Sequence, residues 1–144
     1  MEIFLSIIVI LVVVFYLWYA GIIKKRNTGY EALSGIDVQL KKRSNLIPNI
    51  LKIAQKFLQH EKSLLTEITA LREQADKGYD KANKDSVQEH LQVSELLAGK
   101  MGQLMIRVEA YPDLKSDQTM VQAMQTYNEV EAQIAAARRF YNSA

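Results

Sequence analysis

The sequence predicts an all-α protein, with a single N-terminal transmembrane helix followed by an antiparallel four-helix bundle. Three observations carry that expectation. Residues 3–23 are free of charge, the remainder repeats its apolar side chains at helical spacing, and only Pro48 and Pro112 interrupt the chain of 144 residues. No alternating strand pattern runs for long.

The uncharged stretch, IFLSIIVILVVVFYLWYAGII, is ~31 Å long as a helix, which matches a hydrocarbon core of ~30 Å. A secretory signal peptide would need a basic start, a shorter apolar core and a small-x-small cleavage site. Here Glu2 precedes the stretch, the run is longer, and no Ala-x-Ala follows, so a retained anchor is expected. Lys24, Lys25 and Arg26 come directly after the span and no Lys or Arg precedes it. The positive-inside rule then puts the N-terminus outside and the bulk of the chain in the cytoplasm, at the cytoplasmic membrane. Trp18 and Tyr19, with Tyr16, gather near the basic end, where amphipathic rings favour the headgroup region. Residues 1–26 are therefore read as anchor and basic flank, and residues 27–144 as the helical bundle.

The first amphipathic stretch, about residues 29–43, sets Leu33, Ile36 and Leu40 on one stripe. Ser44 and Asn45 read as helix caps, with Pro48 in the first turn of the next helix. That second stretch, about residues 46–75, carries Ile47, Ile50, Leu51, Ala54, Phe57 and Leu58, then Leu64, Leu65, Ile68 and Leu71, an apolar face of about eight turns. Residues 76–85 are polar with one glycine and read as a loop. A third helix, about residues 86–110, presents Val87, Leu91, Leu97, Met101, Leu104, Met105 and Val108, and must stop near Tyr111 because Pro112 disfavours helix before it. Ser116 or Asp117 then caps a fourth, with Met120, Met124, Tyr127, Ile134 and Tyr141 on its stripe.

Four such stretches joined by short loops bury their stripes most simply as a bundle. The competing arrangement is a helical hairpin with an extended oligomeric coiled coil. The anchor and the first amphipathic stretch are expected to form one rod. Its weak points are Gly21 and Gly29, each costing ~1 kcal/mol relative to alanine; a break at Gly29 is the alternative.

The search for chemistry finds little. Residues 24–144 hold all 18 Lys and Arg and every acid but Glu2, a balance that points away from nucleic acid. With no cysteine, thiolate metal sites, disulfides and cysteine nucleophiles are excluded. A di-iron bundle needs Glu-x-x-His, but Phe57 and Val87 stand three residues before His60 and His90. His60-Glu61 opens like His-Glu-x-x-His, yet Leu64 occupies the second histidine's place. Both histidines are read as partly solvated surface residues. Gly-x-Ser-x-Gly, Walker and dinucleotide glycine patterns are absent. No catalytic, cofactor-binding or metal-binding residue is therefore expected.

Several smaller features remain. Lys41-Lys42-Arg43 has three readings: a solvated face, a contact to the bundle or a neighbouring subunit, or a lipid contact if its helix lies flat. On a straight helix it stands ~25 Å beyond the first basic run, too far for lipid across a Debye length of ~8 Å. Gly99 and Gly102 read as sites of close helix approach. Arg138 and Arg139 suit the negative end of the last helix. Met101, Met105, Met120 and Met124 read as core filler, and Tyr111 as a packing ring.

Ile36-Asp37-Val38-Gln39-Leu40-Lys41-Lys42-Arg43 followed by Leu46-Ile47-Pro48-Asn49 resembles the signature of the LemA family of bacterial proteins. His60-Glu61, with Phe57 where members often have tyrosine, looks like a pair within the family's second bundle helix. Ala110-Tyr111-Pro112-Asp113-Leu114-Lys115 is similar to its interhelical turn, and Ala137-Arg138-Arg139-Phe140-Tyr141-Asn142 to its final helix. Two departures stand out: Leu33 where a tryptophan is usual, and an end at Ala144 where members commonly continue past the Phe-Tyr-Asn motif. The resemblance implies one membrane helix, an all-α bundle and no established catalytic activity. It also implies an association with bacterial envelopes, with membrane remodelling in magnetosome formation and with membrane zinc proteases.

The leading functional expectation is a non-enzymatic, membrane-anchored scaffold that self-associates and organises or remodels the bacterial cytoplasmic membrane. Its partners would be the lipid bilayer and further copies of itself, and its basic runs would meet Glu61, Glu67 or Asp76 of a neighbour. The alternative is an adaptor of a membrane protease or other envelope-stress machinery. A ligand-sensing bundle is a weaker third, because the sequence offers no convergent polar residues between its helices.

Overall fold

One helix, α1, runs unbroken over Glu2–Ala54. Its 53 residues make a rod ~80 Å long at ~1.5 Å per residue. The computed structural model describes residues 1–144, and the other elements are α2 (Lys62–Ala75), α3 (Lys84–Glu109), α4 (Pro112–Ser116) and α5 (Gln118–Ser143). The protein is all-helical, without strands. The first part of α1 is the one helix long and apolar enough to cross a membrane, and nothing in the chain covers it. Gly21 and Gly29 lie inside α1 without breaking it, so anchor and first amphipathic stretch are one rod.

That rod continues past its expected end. Ser44 and Asn45 do not cap, and Pro48 sits in the helix interior instead of a first turn. Ser44 faces inward at 3% exposure, a side chain enclosed by the body rather than one turning back on its own backbone. Proline at 48 has no N–H for the carbonyl four residues earlier. Arg72 of α2 takes that place, donating its Nε to Ser44 O at 2.9 Å.

The real break comes at residues 55–61, inside the stretch expected to be continuous helix. Tight turns close it: Phe57 N and Leu58 N both donate to Ala54 O, at 3.0 and 2.9 Å. The apolar spacing disguised this reversal because Leu58, 1% exposed, plugs the same core from the end.

The remaining boundaries follow their caps. Asn83 Oδ1 accepts from Asp85 N at 2.9 Å and Ser86 N at 3.3 Å, starting α3. Pro112 opens α4, and Asp117 Oδ1 accepts from Met120 N at 2.9 Å to start α5. These satisfy backbone donors that a helix start leaves free.

Ion pairs report how the helices lie. Glu61, just before α2, and Glu67 within it meet Arg107 and Lys100 of α3, so those two helices run in opposite directions. Arg43 of α1 meets Glu131 of α5, while Asp37 and Arg43 meet His90 and Ser94 of α3. Glu61, Glu67 and Asp76, expected to receive a neighbour's basic run, are thus taken within the chain, Asp76 by Lys41 at 3.5 Å and by Arg72 at 3.9 Å. The main core lies at the end far from the anchor. Ile47, Ile50, Leu58, Ile68, Leu97, Met101, Leu104, Val108, Leu114 and Met120 are all essentially inaccessible there. Gly99 and Gly102 do not serve close packing within the chain: a methyl group added at either meets nothing within 4 Å.

Candidate functional site

Between the anchor and the apolar core, α1 buries polar side chains. Consecutive residues on a helix point ~100° apart, so Lys41, Lys42 and Arg43 cannot share one environment. Lys41 and Lys42 are exposed, whereas Arg43 faces inward and is 2% exposed. Its guanidinium spans three helices. Nη1 donates to Glu131 Oε1 of α5 at 3.0 Å. Nη2 donates to Ser94 Oγ at 2.8 Å and to Ser94 O at 3.0 Å on α3. The planar fork of arginine suits such divided recognition, which a lysine point charge would not reproduce. Arg43 Nε, Ser44 Oγ, Gln39 Oε1 and Tyr127 Oη are buried without a partner. Burial, reinforced by the Glu131 carboxylate, pushes the Tyr127 phenol above its ordinary pKa.

Nearer the anchor, Asp37 gathers the loop between α2 and α3. Tyr79 donates its hydroxyl to Asp37 Oδ1 at 2.8 Å, and Lys81 Nζ lies 2.8 Å from Oδ2. His90 stacks on Tyr79, with ring centroids 4.1 Å apart at 13°, and its Nε2 is 3.9 Å from Asp37 Oδ1. Its side chain is only 10% exposed, contrary to the expected solvated histidine; the Tyr79 ring covers it. Burial lowers the His90 pKa and the Arg43 charge adds to that, against the opposing pull of Asp37. Burial and the bond to Asp37 raise the Tyr79 phenol. Asp37, Arg43, Ser44, Asp76, Tyr79 and His90 contribute to the walls of a cleft of about 250 Å³ between α1, α3 and the loop.

The other sequence-singled residues are scattered. Trp18, Tyr19, Lys24, Lys25 and Arg26 ring the exposed part of α1. Ile36 is core, Leu40 and Gln39 are half-buried, and Pro48 and Asn49 are on the surface. Tyr111 packs on the core and caps α4, which Pro112 begins. Arg138 pairs with Glu95 of α3 and Arg139 Nε donates to Ala135 O at 3.3 Å, so neither attends the last turn of α5. Tyr141 is half-buried, Asn142 and His60 exposed. Nowhere do three His, Asp or Glu side chains gather to hold a metal ion.

The layer around Arg43 and Asp37 thus joins α1, α2, α3 and α5, and most of its members were invisible to residue-by-residue reading. Arg72, Tyr79, Ser94, Tyr127 and Glu131 belong to no motif; only the tertiary fold brings them together. A weak signal for Arg72 existed in Pro48 itself, since a mid-helix proline leaves a carbonyl in need of a donor.

A comparison with curated proteins found no match. A comparison with family models matched residues 32–144 to the LemA family. The matched region begins where α1 first becomes buried, at Ala32 and Leu33, and takes in the whole polar layer and the apolar core. On that coverage, the chain belongs to the LemA family.

Proposed function

We propose that this protein is a non-enzymatic scaffold of the cytoplasmic membrane. In this reading the soluble body is an antiparallel four-helix bundle on the cytoplasmic side, and the chain self-associates to organise the bilayer that holds it. The observation that carries the reading is the continuity of α1 from Glu2 to Ala54. One helix is at once the apolar, uncovered segment and a wall of the core, so the body is held rigidly to whatever the anchor does. The buried polar groups support it: they bind helix to helix. Tyr79 keeps its proton, donating a hydrogen bond from its hydroxyl to Asp37 with a raised pKa, so it is poorly suited to act as a nucleophile.

The test is the size and composition of the complex extracted from native membranes, read by mass photometry with mass spectrometry on the same peak. A large homo-oligomer carrying lipid is the expected result. A small species bound at fixed stoichiometry to a membrane protease or another envelope protein would replace the scaffold with an adaptor.

A further inference from the structure

α3 carries on its outer side a row of exposed residues with coiled-coil spacing. Gln92, Leu96, Gly99, Gln103 and Ile106 follow one another at intervals of four, three, four and three, the a and d positions of a heptad. Leu96 is 59% and Ile106 72% exposed, two of the few large apolar side chains outside the anchor to remain uncovered. The core side of the same helix is separate and complete, made of Ser94, Leu97, Met101, Leu104 and Val108. Gly99 and its neighbour Gly102 each cost about 1 kcal/mol in a helix interior, and no atom of the chain uses the space they leave.

The edges of the row have opposite charge. Glu95 flanks it at a g position, and Lys100 and Arg107 flank it at e positions. In a parallel pair of helices, a g residue meets the e residue five positions later on its mate. Glu95 of one copy then meets Lys100 of the other, twice by symmetry. An antiparallel pair would bring e to e and g to g instead, setting like charges together. The intrachain partners do not forbid this: Glu95 is 58% exposed while it holds Arg138 and a carboxylate has about four acceptor sites, and Lys100, which holds Glu67, has three N–H donors. Two copies anchored in one membrane point the same way, so the only two-fold axis open to them lies along the membrane normal, which makes their α3 helices parallel.

We propose that the outer face of α3 docks on the same face of a second copy of this chain, in parallel and in register about Gly99. The inference rests on the self-association proposed above and adds the face and direction of the contact. Glycine at the centre lets the backbones approach, and a two-fold parallel arrangement brings each seam position opposite itself.

The chain has no cysteine, which makes disulfide trapping clean. Single substitutions Gln92→Cys, Gly99→Cys, Gln103→Cys and Ile106→Cys are oxidised in native membranes, with Asn128→Cys on α5 as an exposed control. A disulfide forms only when the two Cα atoms come within about 7 Å. The expected result is a species of doubled mass, containing only this chain, at all four seam positions and not at Asn128. The complex size of the cysteine-free chain is measured in parallel. Oligomers with no seam cross-link, or cross-links strongest at Asn128, overturn the α3 contact and leave self-association standing. Cross-links at one seam position alone point to crossed or antiparallel helices and overturn the direction. Monomers throughout overturn both readings, and a cross-linked adduct to a different protein overturns the second copy as occupant.

Discussion

Beyond Ile47 the body is held by apolar side chains, whereas between Ala32 and Ser44 the same helix buries charge. Of the three fully buried polar residues of the protein, Arg43 and Ser44 lie in that second stretch, and Ser94 of α3 is bound to it by Arg43. The apolar core borders the polar layer at Leu97, which lines the cleft beside Arg43 and Ser94, and at the Tyr127 ring beside Glu131. The two regions do different work. Apolar packing is non-directional and rewards any arrangement that excludes water. Hydrogen bonds to a guanidinium reward one geometry and penalise its neighbours, because a buried group left unpaired costs more than a made bond contributes. The far core therefore supplies cohesion, and the near layer fixes which helix faces which.

Breaking the apolar end should have the largest effect. Leu104→Ala removes a fully buried side chain from a closed core and is expected to cost about 2–5 kcal/mol, read as a lowered melting temperature of the full chain in detergent micelles. Arg43→Ala comes next, at about 3 kcal/mol, since it strands Ser94 and leaves Glu131 without its cation. If the layer works by geometry, Arg43→Lys should recover little of that loss, while Arg43→Met combined with Glu131→Gln should recover more. Full rescue by lysine would show that charge alone matters there.

Pro48 and Arg72 sharpen the comparison at smaller scale. Arg72→Ala should cost about 1–2 kcal/mol by orphaning Ser44 O. In a Pro48→Ala background the restored N–H takes that carbonyl, so the same change should cost clearly less. Equal losses in both backgrounds would mean that Arg72 acts through Asp76 instead. The smallest effect belongs to His90. Its folded pKa is lowered, so its contribution is complete above the unfolded value of about 6.5 and declines as pH falls below it. Melting temperatures between pH 7.5 and 5 should drop less for His90→Gln than for the parent chain, and identical curves would remove His90 from the pH response.

Sequence patterning located the apolar end well and the polar layer poorly, for a physical reason. Met101, Leu104, Val108 and Met120 declare themselves by spacing, because apolar burial repeats with the helix. The reversal at 55–61 escaped because it contains no glycine or proline. Its one visible trace is the apolar gap between Leu58 and Leu64, where Glu61 stands at the helical position. Ser44 looked like a cap because an exposed serine before a proline usually is one. A buried serine opposite Arg72 carries the same letters. Likewise Lys41-Lys42-Arg43 reads as one basic run, and only packing separates its two surface lysines from its interior arginine.

The unbroken α1 also fixes an angle. A helix advances ~100° per residue, so, with the apolar segment in a bilayer as proposed above, the side of it that faces a given direction determines the compass bearing of Arg43, and with it that of every helix Arg43 holds. One alanine inserted between Arg26 and Ala32 would swing the whole body by ~100° while lifting it only ~1.5 Å. Seven would restore the original bearing to within ~20°. The stretch from Lys24 to Glu31 is thus an azimuthal key: its length sets which face of the protein each neighbour in the membrane plane would meet.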